Sequence, residues 1–516
     1  MAKDGDMRRI SRVLAFTAAA LIPAPLILLG QVLPASASGG SLLVTTIART
    51  GHDVSSSIVA VNLAGDTEYD GTSGHAFNVP DGRYAVMSGI QDATTGTLAD
   101  KLVTVSGRTT VTLDARQGRL IKVTLNGKPV DDDTDARVCA GISRVELFGS
   151  ANSVFAVPNS SSVFSFAYLV TGQGAQLSAL TTAGVPANPG GAWRSSSLAR
   201  LTLSVHSGEQ DAYETDATLQ PEVANGVNCQ TDLAGTLAQQ AAPYRASTLV
   251  SPGRWIVRTD DSVAIGNQSD DIGGFFVPVN FVKGRSDWLV YYAAAWGPTG
   301  WLPMIWRHSI EFFPSSTITD PDGLGYEASI NNTITLSLNG HQLAKRNVST
   351  YGNSFPDFAE HIASAGWYTM TVDARRYYPG LTFPAAILTP SDTLSWHFYA
   401  SPGQTQAAPV YLASLVPQGL SMANQAAPRS VSAVRVYLSR PGNPNVPTFS
   451  DTVKSVQVWA SDNGGANWSK VTVKHTSGGW TAYVRNPASG FVTLRSEVTD
   501  THGDTSTETI YRAYGV

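Results

Sequence analysis

Few residues in this chain have the types and spacing to do chemistry. Gly71-Thr72-Ser73, with His75 two positions on, supplies a candidate nucleophile and a candidate general base. A catalytic serine of this kind opens a helix, whose N-terminal N–H groups and dipole support the developing charge. Here Pro80, Asp81 and Gly82 follow and break any helix, and the Tyr84/Val86 alternation after them predicts a strand. Ser73 is therefore expected in a turn with no catalytic role. Asp260-Asp261 and Asp270-Asp271 are paired carboxylates of the sort that cleave glycosides, expected here as acidic loop ends flanking a short strand. Asp320-Pro321-Asp322-Gly323 begins like a calcium loop but lacks its later ligands, and Asp131-Asp132-Asp133 reads as a solvated linker. The nine histidines are scattered with no i, i+4 pair. No Gly-x-Ser-x-Gly, His-Glu-x-x-His, Walker loop or dinucleotide fingerprint occurs. The expectation is a chain with no catalytic residues, no metal site and no cofactor.

Binding chemistry is better represented. Trp288, Tyr291, Tyr292, Trp296, Trp301 and Trp306 fall within nineteen residues. Exposed planar rings stack on sugars or on a protein partner, and buried ones build a core. Gly297-Pro298-Thr299-Gly300 reads as a surface turn, so Trp296 and Trp301 are the candidate ligand-binding pair. Cys139 and Cys229, the only cysteines, are an even count that suits one disulfide in an oxidising compartment.

The compartment follows from the N-terminus. Arg8, Arg9 and Arg12 precede an apolar run from Val13 to Leu33, and Ala35-Ser36-Ala37 is a small-residue cleavage site. That is the layout of a secretory signal over 1–37, and no later stretch is apolar enough to span a bilayer. The net charge is −5 with 15% charged residues, and losing the basic signal makes it more negative. An acidic chain of low charge density is a poor match for nucleic acid or anionic membrane.

Many Ser, Thr and Gly residues and short alternating apolar runs predict an all-β chain of tandem β-sandwich domains. Residues 38–130 carry the sharpest local signal, "FNVPDGRYAV", a Pro-x-Gly-x-Tyr-x-Val turn and strand that resembles the transthyretin-like or carboxypeptidase-regulatory-like sandwich. Residues 131–310 read as a longer β-rich middle domain. Its one expected helix is 231–247, with Asp232 as N-cap and Pro243 as terminator. In the next sandwich, 311–428, "NTITLSLNGHQLA" predicts a hairpin turning at Asn339-Gly340. Residues 429–516 read as an immunoglobulin- or fibronectin-like sandwich. Its "SDNGGANW" turn has the spacing of a sialidase-type Asp-box, with Asn463 in place of the aspartate. Such a box stabilises a hairpin and does no chemistry. Thr112-Leu113-Asp114-Ala115-Arg116 returns as Thr371-Val372-Asp373-Ala374-Arg375, a single short echo.

"FNVPDGRYAV", "VTLDARQ", "TDLAGTLAQQAAPYRA", "LSWHFYAS", "ASDNGGANWSKV" and the closing "VTLRSEVTDTHGDTSTETIYRAYGV" occur in this order. Together they resemble the long C-terminal accessory region of large secreted actinobacterial subtilisin-like serine peptidases. The resemblance covers 41–516. The peptidase motifs Asp-(Thr/Ser)-Gly, His-Gly-Thr and Gly-Thr-Ser-Met-Ala are missing, and His502-Gly503 is followed by Asp504. The resemblance thus implies a secreted, non-catalytic binding or scaffolding protein acting beside a protein partner. The alternative is a module that binds cell-wall polysaccharide. A hydrolase assembled from residues distant in sequence is the third class.

Overall fold

The computed structural model describes residues 39–516 except 131–132, 142, 151–152, 208–213, 223–232, 266–267, 301, 315–316, 322–324, 328–329, 352–356, 442–450 and 478. The expected signal segment 1–37 lies outside the described residues. Among the described residues no helix is long and apolar enough to cross a membrane. The fold is all-β, built of tandem β-sandwiches.

The first sandwich has strands Gly39–Ile47 (β1), Ser57–Asn62 (β2), Thr67–Thr72 (β3), Ala76–Pro80 (β4), Gly82–Gln91 (β5), Gly96–Val105 (β6) and Arg108–Asp114 (β7). β1 lies between β4, antiparallel to it, and β7, parallel to it. The facing sheet has the order β3-β2-β5-β6. Alternation does what it should: Leu42 and Val44 of β1 point inward onto Ile58, Ala60, Tyr84 and Val86.

The same strand order recurs three times. Over 122–193, Lys122–Leu125 runs parallel to Gly190–Trp193, and the facing order is Ser143–Ser150, Asp133–Ala140, Phe164–Gly172, Ala175–Thr181. Over 199–291, Ala199–Val205 lies antiparallel to Tyr244–Val250 and parallel to Ser286–Tyr291. Its facing order is Gly235–Ala241, Glu214–Pro221, Gly253–Ile265, Gln268–Phe281. Over 304–407 the facing order is His341–Ser349, Ile330–Leu338, Gly366–Arg376, Ser391–Ala400, and a hairpin of Met304–Arg307 and Ser309–Phe312 takes the place of β1. The fifth unit differs. Leu412–Pro417, Val431–Ser439, Gly479–Arg485 and Thr472–Thr476 form one sheet, and Thr505–Gly515, Phe491–Asp500, Val453–Ser461 and Ser469–Lys470 lie in the other. That is the ABED/GFC arrangement of immunoglobulin domains with one added strand.

A local device marks three of the repeats. Gly82-Arg83-Tyr84, Gly253-Arg254-Trp255 and Gly366-Trp367-Tyr368 each begin the strand equivalent to β5. Each buried aromatic donates a hydrogen bond to the carbonyl four residues back: Tyr84 Oη to Pro80 at 2.8 Å, Trp255 Nε1 to Ser251 at 2.9 Å, Tyr368 Oη to Ser364 at 2.6 Å. The bond closes the corner before the strand. Glycine is needed at Gly253, where φ is +143°, and at Gly366 a Cβ would sit 2.6 Å from Leu338 Cδ1 and push that side chain aside.

The helix expected over 231–247 is replaced by strands Gly235–Ala241 and Tyr244–Val250. Good helix formers such as Leu237, Ala238 and Gln239 are overridden because this stretch completes a sheet, Gly235–Ala241 pairing along Glu214–Pro221. Asp232 lies outside the described residues. The region expected as one middle domain, 131–310, holds most of the second sandwich and all of the third. Leu412–Pro417, ahead of the expected boundary at 429, is the first strand of the fifth.

Sheets and cores run across the junctions. Val61, Ala85, Met87 and Leu98 of the first sandwich share one core with Val138, Leu147 and Phe166 of the second. Ala175–Thr181 pairs with Tyr244–Val250, which joins the second and third in a seven-stranded sheet. Gly325–Glu327 adds to the Gln268–Phe281 strand of the third. Ser391–Ala400 pairs with Thr505–Gly515, fusing the fourth and fifth in an eight-stranded sheet.

Candidate functional site

Ser73 sits in the turn between β3 and β4 and is buried. Its Oγ accepts the Ser56 N–H at 2.9 Å and donates to the Val54 carbonyl at 2.9 Å. His75 is exposed, and its Nδ1 lies 3.3 Å from the Ser73 backbone carbonyl rather than the hydroxyl. The serine therefore locks a turn to the 54–56 segment. Ser73→Ala should cost about 1–3 kcal/mol by stranding the buried Ser56 N–H, and should leave fluorophosphonate labelling of the purified protein unchanged. Labelling of the wild type at Ser73 would refute the structural role.

Cys139, buried on the Asp133–Ala140 strand, is disulfide-bonded. Cys229 lies outside the described residues. We expect non-reducing peptide mapping to recover a Cys139–Cys229 pair, worth about 3–5 kcal/mol on the chain-entropy account. Two alkylatable thiols in the native protein would count against it.

The ligand-binding pair needs correction. Trp296 is fully buried, its ring stacked on Tyr292 at 5.5 Å and 15°. The Arg376 guanidinium lies 4.3 Å from the ring centroid on a buried side chain. The turn after Trp296 faces protein: Gly297 bonds in both directions with Thr319, and a Cβ on Gly297 would strike Glu508. Trp301 lies outside the described residues. Among the described residues the exposed rings of the stretch are Trp288, 61% exposed, and Trp306, 43%. Trp288 occupies an outer-face position of Ser286–Tyr291, its Nε1 donating to Ser204 Oγ at 3.2 Å.

The acidic candidates are structural where they are described. Asp260 pairs with Arg258 on its own strand at 2.6 Å. The two acidic pairs lie on the arms of one long hairpin, Gly253–Ile265 and Gln268–Phe281, rather than flanking a short strand. Asp320 is buried and accepts the Tyr292 N–H at 3.2 Å. Asp322 and Gly323 lie outside the described residues. Among the described residues no group of three or more His, Cys, Asp or Glu is placed to hold a metal. At the Asp-box-like turn, Ser461 Oγ accepts the Gly465 N–H at 2.9 Å and Asn463 Oδ1 accepts the Asn467 N–H at 2.9 Å. The asparagine carbonyl thus does the work of the missing carboxylate. An open groove of about 510 Å³ is lined by Arg119, Leu120, Lys122, Thr124 and residues 188–192, without a carboxylate, histidine or cysteine.

Sequence reasoning missed the residue that ties three parts together. Asn424, buried in the loop before Val431–Ser439, donates through Nδ2 to the carbonyls of Ser207 and Tyr292, both at 2.7 Å. Its Oδ1 accepts the Ala294 N–H at 3.0 Å and lies 3.2 Å from His206 Nδ1. One side chain in the fifth sandwich thereby holds the third sandwich and the segment that leaves it.

No protein family and no curated protein matches the sequence. Among solved structures, the Bacillus anthracis TIE protein is similar at 9% identity over 49% of this chain and 50% of that one, with a TM-score of 0.12. This chain thus spans half the length of that protein. A streptococcal ancillary pilin matches at 8% identity over 49% of this chain and 98% of its own, TM-score 0.12. The chicken CNTN1 FN1-FN3 domains match at 9% over 67% and 94%, TM-score 0.14. None of these scores defines a fold, which rests on the strand pairing above.

Proposed function

We propose that this chain is a secreted, non-catalytic scaffold and binding protein, in the accessory role that its resemblance to the C-terminal region of subtilisin-like peptidases implies. The observation that carries the reading is the continuity of sheet and core from one sandwich to the next. Domains joined only by linkers move independently by default. Here the Ser391–Ala400 and Thr505–Gly515 pairing, the shared core of the first two sandwiches and the Asn424 bonds oppose that motion. A body of this kind holds a partner at a defined position. The roles of Ser73, Asp260 and Asp320 in backbone bonds and ion pairs further favour a scaffold over a hydrolase.

Limited proteolysis of the secreted protein tests the scaffold. Cleavage is expected at exposed loops without release of sandwich-sized fragments under native conditions. Separate fragments of about 80–100 residues would mean independent beads and sink it. Crosslinking to peptidases secreted by the same cells tests the partner. The exposure of Trp288 and Trp306 favours a second reading, a polysaccharide ligand. Its test is retention on insoluble peptidoglycan, chitin or cellulose, lost in a Trp288→Ala/Trp306→Ala variant with unchanged melting.

A further inference from the structure

Two carboxyls are buried at the junction of the fourth and fifth sandwiches. Asp392 lies on Ser391–Ala400 and Glu508 on Thr505–Gly515, the two strands that fuse the sandwiches. The register pairs Asp392 with Ile510 and Leu394 with Glu508. The two acids are therefore diagonal neighbours on the inner face, alongside Leu394, Trp396 and Ile510. Asp392 is 0% exposed and Glu508 4%. None of their four carboxyl oxygens has a hydrogen bond of ordinary geometry. The nearby donors are the Thr393 N–H and the Ser496 hydroxyl. Gly297, from the segment between the third and fourth sandwiches, closes over Glu508.

A buried carboxylate without donors or a cation costs several kcal/mol, so such a group takes up a proton instead. Among the described residues no cation forms an ion pair with either acid. Arg376, on the inner face of Gly366–Arg376, donates Nε to the Thr389 carbonyl at 2.9 Å and covers Trp296. Arg512, on the strand of Glu508, donates to the Ala385 carbonyl. Arg495, on the Phe491–Asp500 strand, covers Trp468 and donates to Thr509 Oγ1. Asp320, on the segment that bonds to Gly297, holds the Tyr292 N–H.

We propose that Asp392 and Glu508 form a proton-holding clasp that keeps the fourth and fifth sandwiches joined while both are protonated and releases the joint when both ionise. The first ionisation gives one proton to solvent and leaves a single charge in an apolar seam, and the second gives up another proton and sets a like charge beside it. Burial pushes both groups well above the usual carboxylate range, and the charge of Asp392 raises Glu508 further. For an acid whose folded pKa is raised, the stability is fully present below the unfolded value near 4 and is lost as pH rises through the folded value. Asp504, at the same junction, accepts the Tyr399 N–H at 3.1 Å and is itself raised to about 6 by burial. Asp100 and Asp135, raised to about 7 by burial, act in the first two sandwiches, far along the chain.

Hydrogen exchange of the full-length secreted protein tests the clasp, read at pH 6 and pH 9 and corrected for intrinsic exchange. In the wild type, amides of Ser391–Ala400 and Thr505–Gly515 should lose at least about tenfold in protection, the equivalent of one unit of linked pKa shift. Val431–Ser439, in the opposite sheet of the fifth sandwich, should change less. An Asp392→Asn/Glu508→Gln variant keeps shape and removes both protons' chemistry, and should show no pH-dependent loss in those strands. Equal protection of the wild type at both pH values overturns the clasp, whether or not the variant folds. So does a gain in protection with pH, which would mean that Arg376 pairs with Asp392. An unchanged pH loss in a folded variant also overturns it.

Discussion

Trp296→Ala should lower the stability of the 199–407 part of the chain by about 3–5 kcal/mol, the range for a buried tryptophan cut to alanine. The ring is 0% exposed and packs in a core with Tyr291, Tyr292, Ile330 and Ala374. These residues come from the third sandwich, the segment after it and the fourth, so the cavity opens at a junction where two sandwiches meet. The stacked Tyr292 ring and the Arg376 guanidinium lose their common partner together. Alanine leaves a void that the sheets cannot close without moving their shared strands. The measurement is denaturant unfolding followed by tryptophan fluorescence and circular dichroism. A chain of several sandwiches need not unfold in one step, so the expected change is a lower midpoint in the transition that includes this junction. Trp288→Ala is the contrast: at 61% exposure it should shift stability by less than about 1 kcal/mol. Equal effects from the two substitutions would refute the core assignment of Trp296.

Asn424→Ala should cost about 3–4 kcal/mol and expose the 292–303 segment to proteases. The substitution strands the Ala294 N–H and the carbonyls of Ser207 and Tyr292 in a buried site, each costing about 1–3 kcal/mol unless water enters. Backbone strain adds to it, because Asn424 has φ +54°, a conformation asparagine tolerates better than alanine. Asn424→Asp keeps the shape but replaces the two donated bonds with repulsion between oxygens, so it should be no milder. The node also responds to acid. Burial holds His206 below its ordinary pKa, against the opposing bond to Asn424. A base with a depressed folded pKa contributes stability above its unfolded value of about 6.5 and loses it as pH falls through the folded value. This dependence has the opposite sign to that of the Asp392–Glu508 pair. A variant with unchanged melting and an unchanged cleavage pattern would show that the third and fifth sandwiches are held by other contacts alone.

Asn424 shows why such nodes are hard to read from sequence. It lies 132 residues from Tyr292 and 217 from Ser207, and nothing in the flanking Ser421-Met422-Ala423 announces a partner. The same holds for Asp392 and Glu508. Each sits in an ordinary alternating strand, and only the register that brings Leu394 opposite Glu508 makes them neighbours. Trp296 was misread for a related reason. Gly297-Pro298-Thr299-Gly300 does reverse the chain's local course, but a turn is at the surface only when no other domain covers it, and Glu508 and Thr319 cover this one.

What the residues determined by themselves was local. Alternation placed Leu42 and Val44, and Ile334 and Leu336, on buried faces. Asn339-Gly340 turned its hairpin with φ +49° and +83°, the geometry that this pair adopts most easily. The Pro80-Asp81-Gly82 turn set Tyr84 inward and made Ser73 a turn residue. These outcomes depend on neighbours a few positions apart, where steric preference and period-two burial act directly. The tertiary structure decided the rest: strands in place of a helix at 235–250, two sandwiches where 131–310 had looked like one domain, and the fused sheets. Helix propensity is worth tenths of a kcal/mol per residue, and strand pairing with a buried face outweighs it. Which strands pair across hundreds of residues depends on the burial of whole sheet faces, a quantity no short stretch of sequence contains.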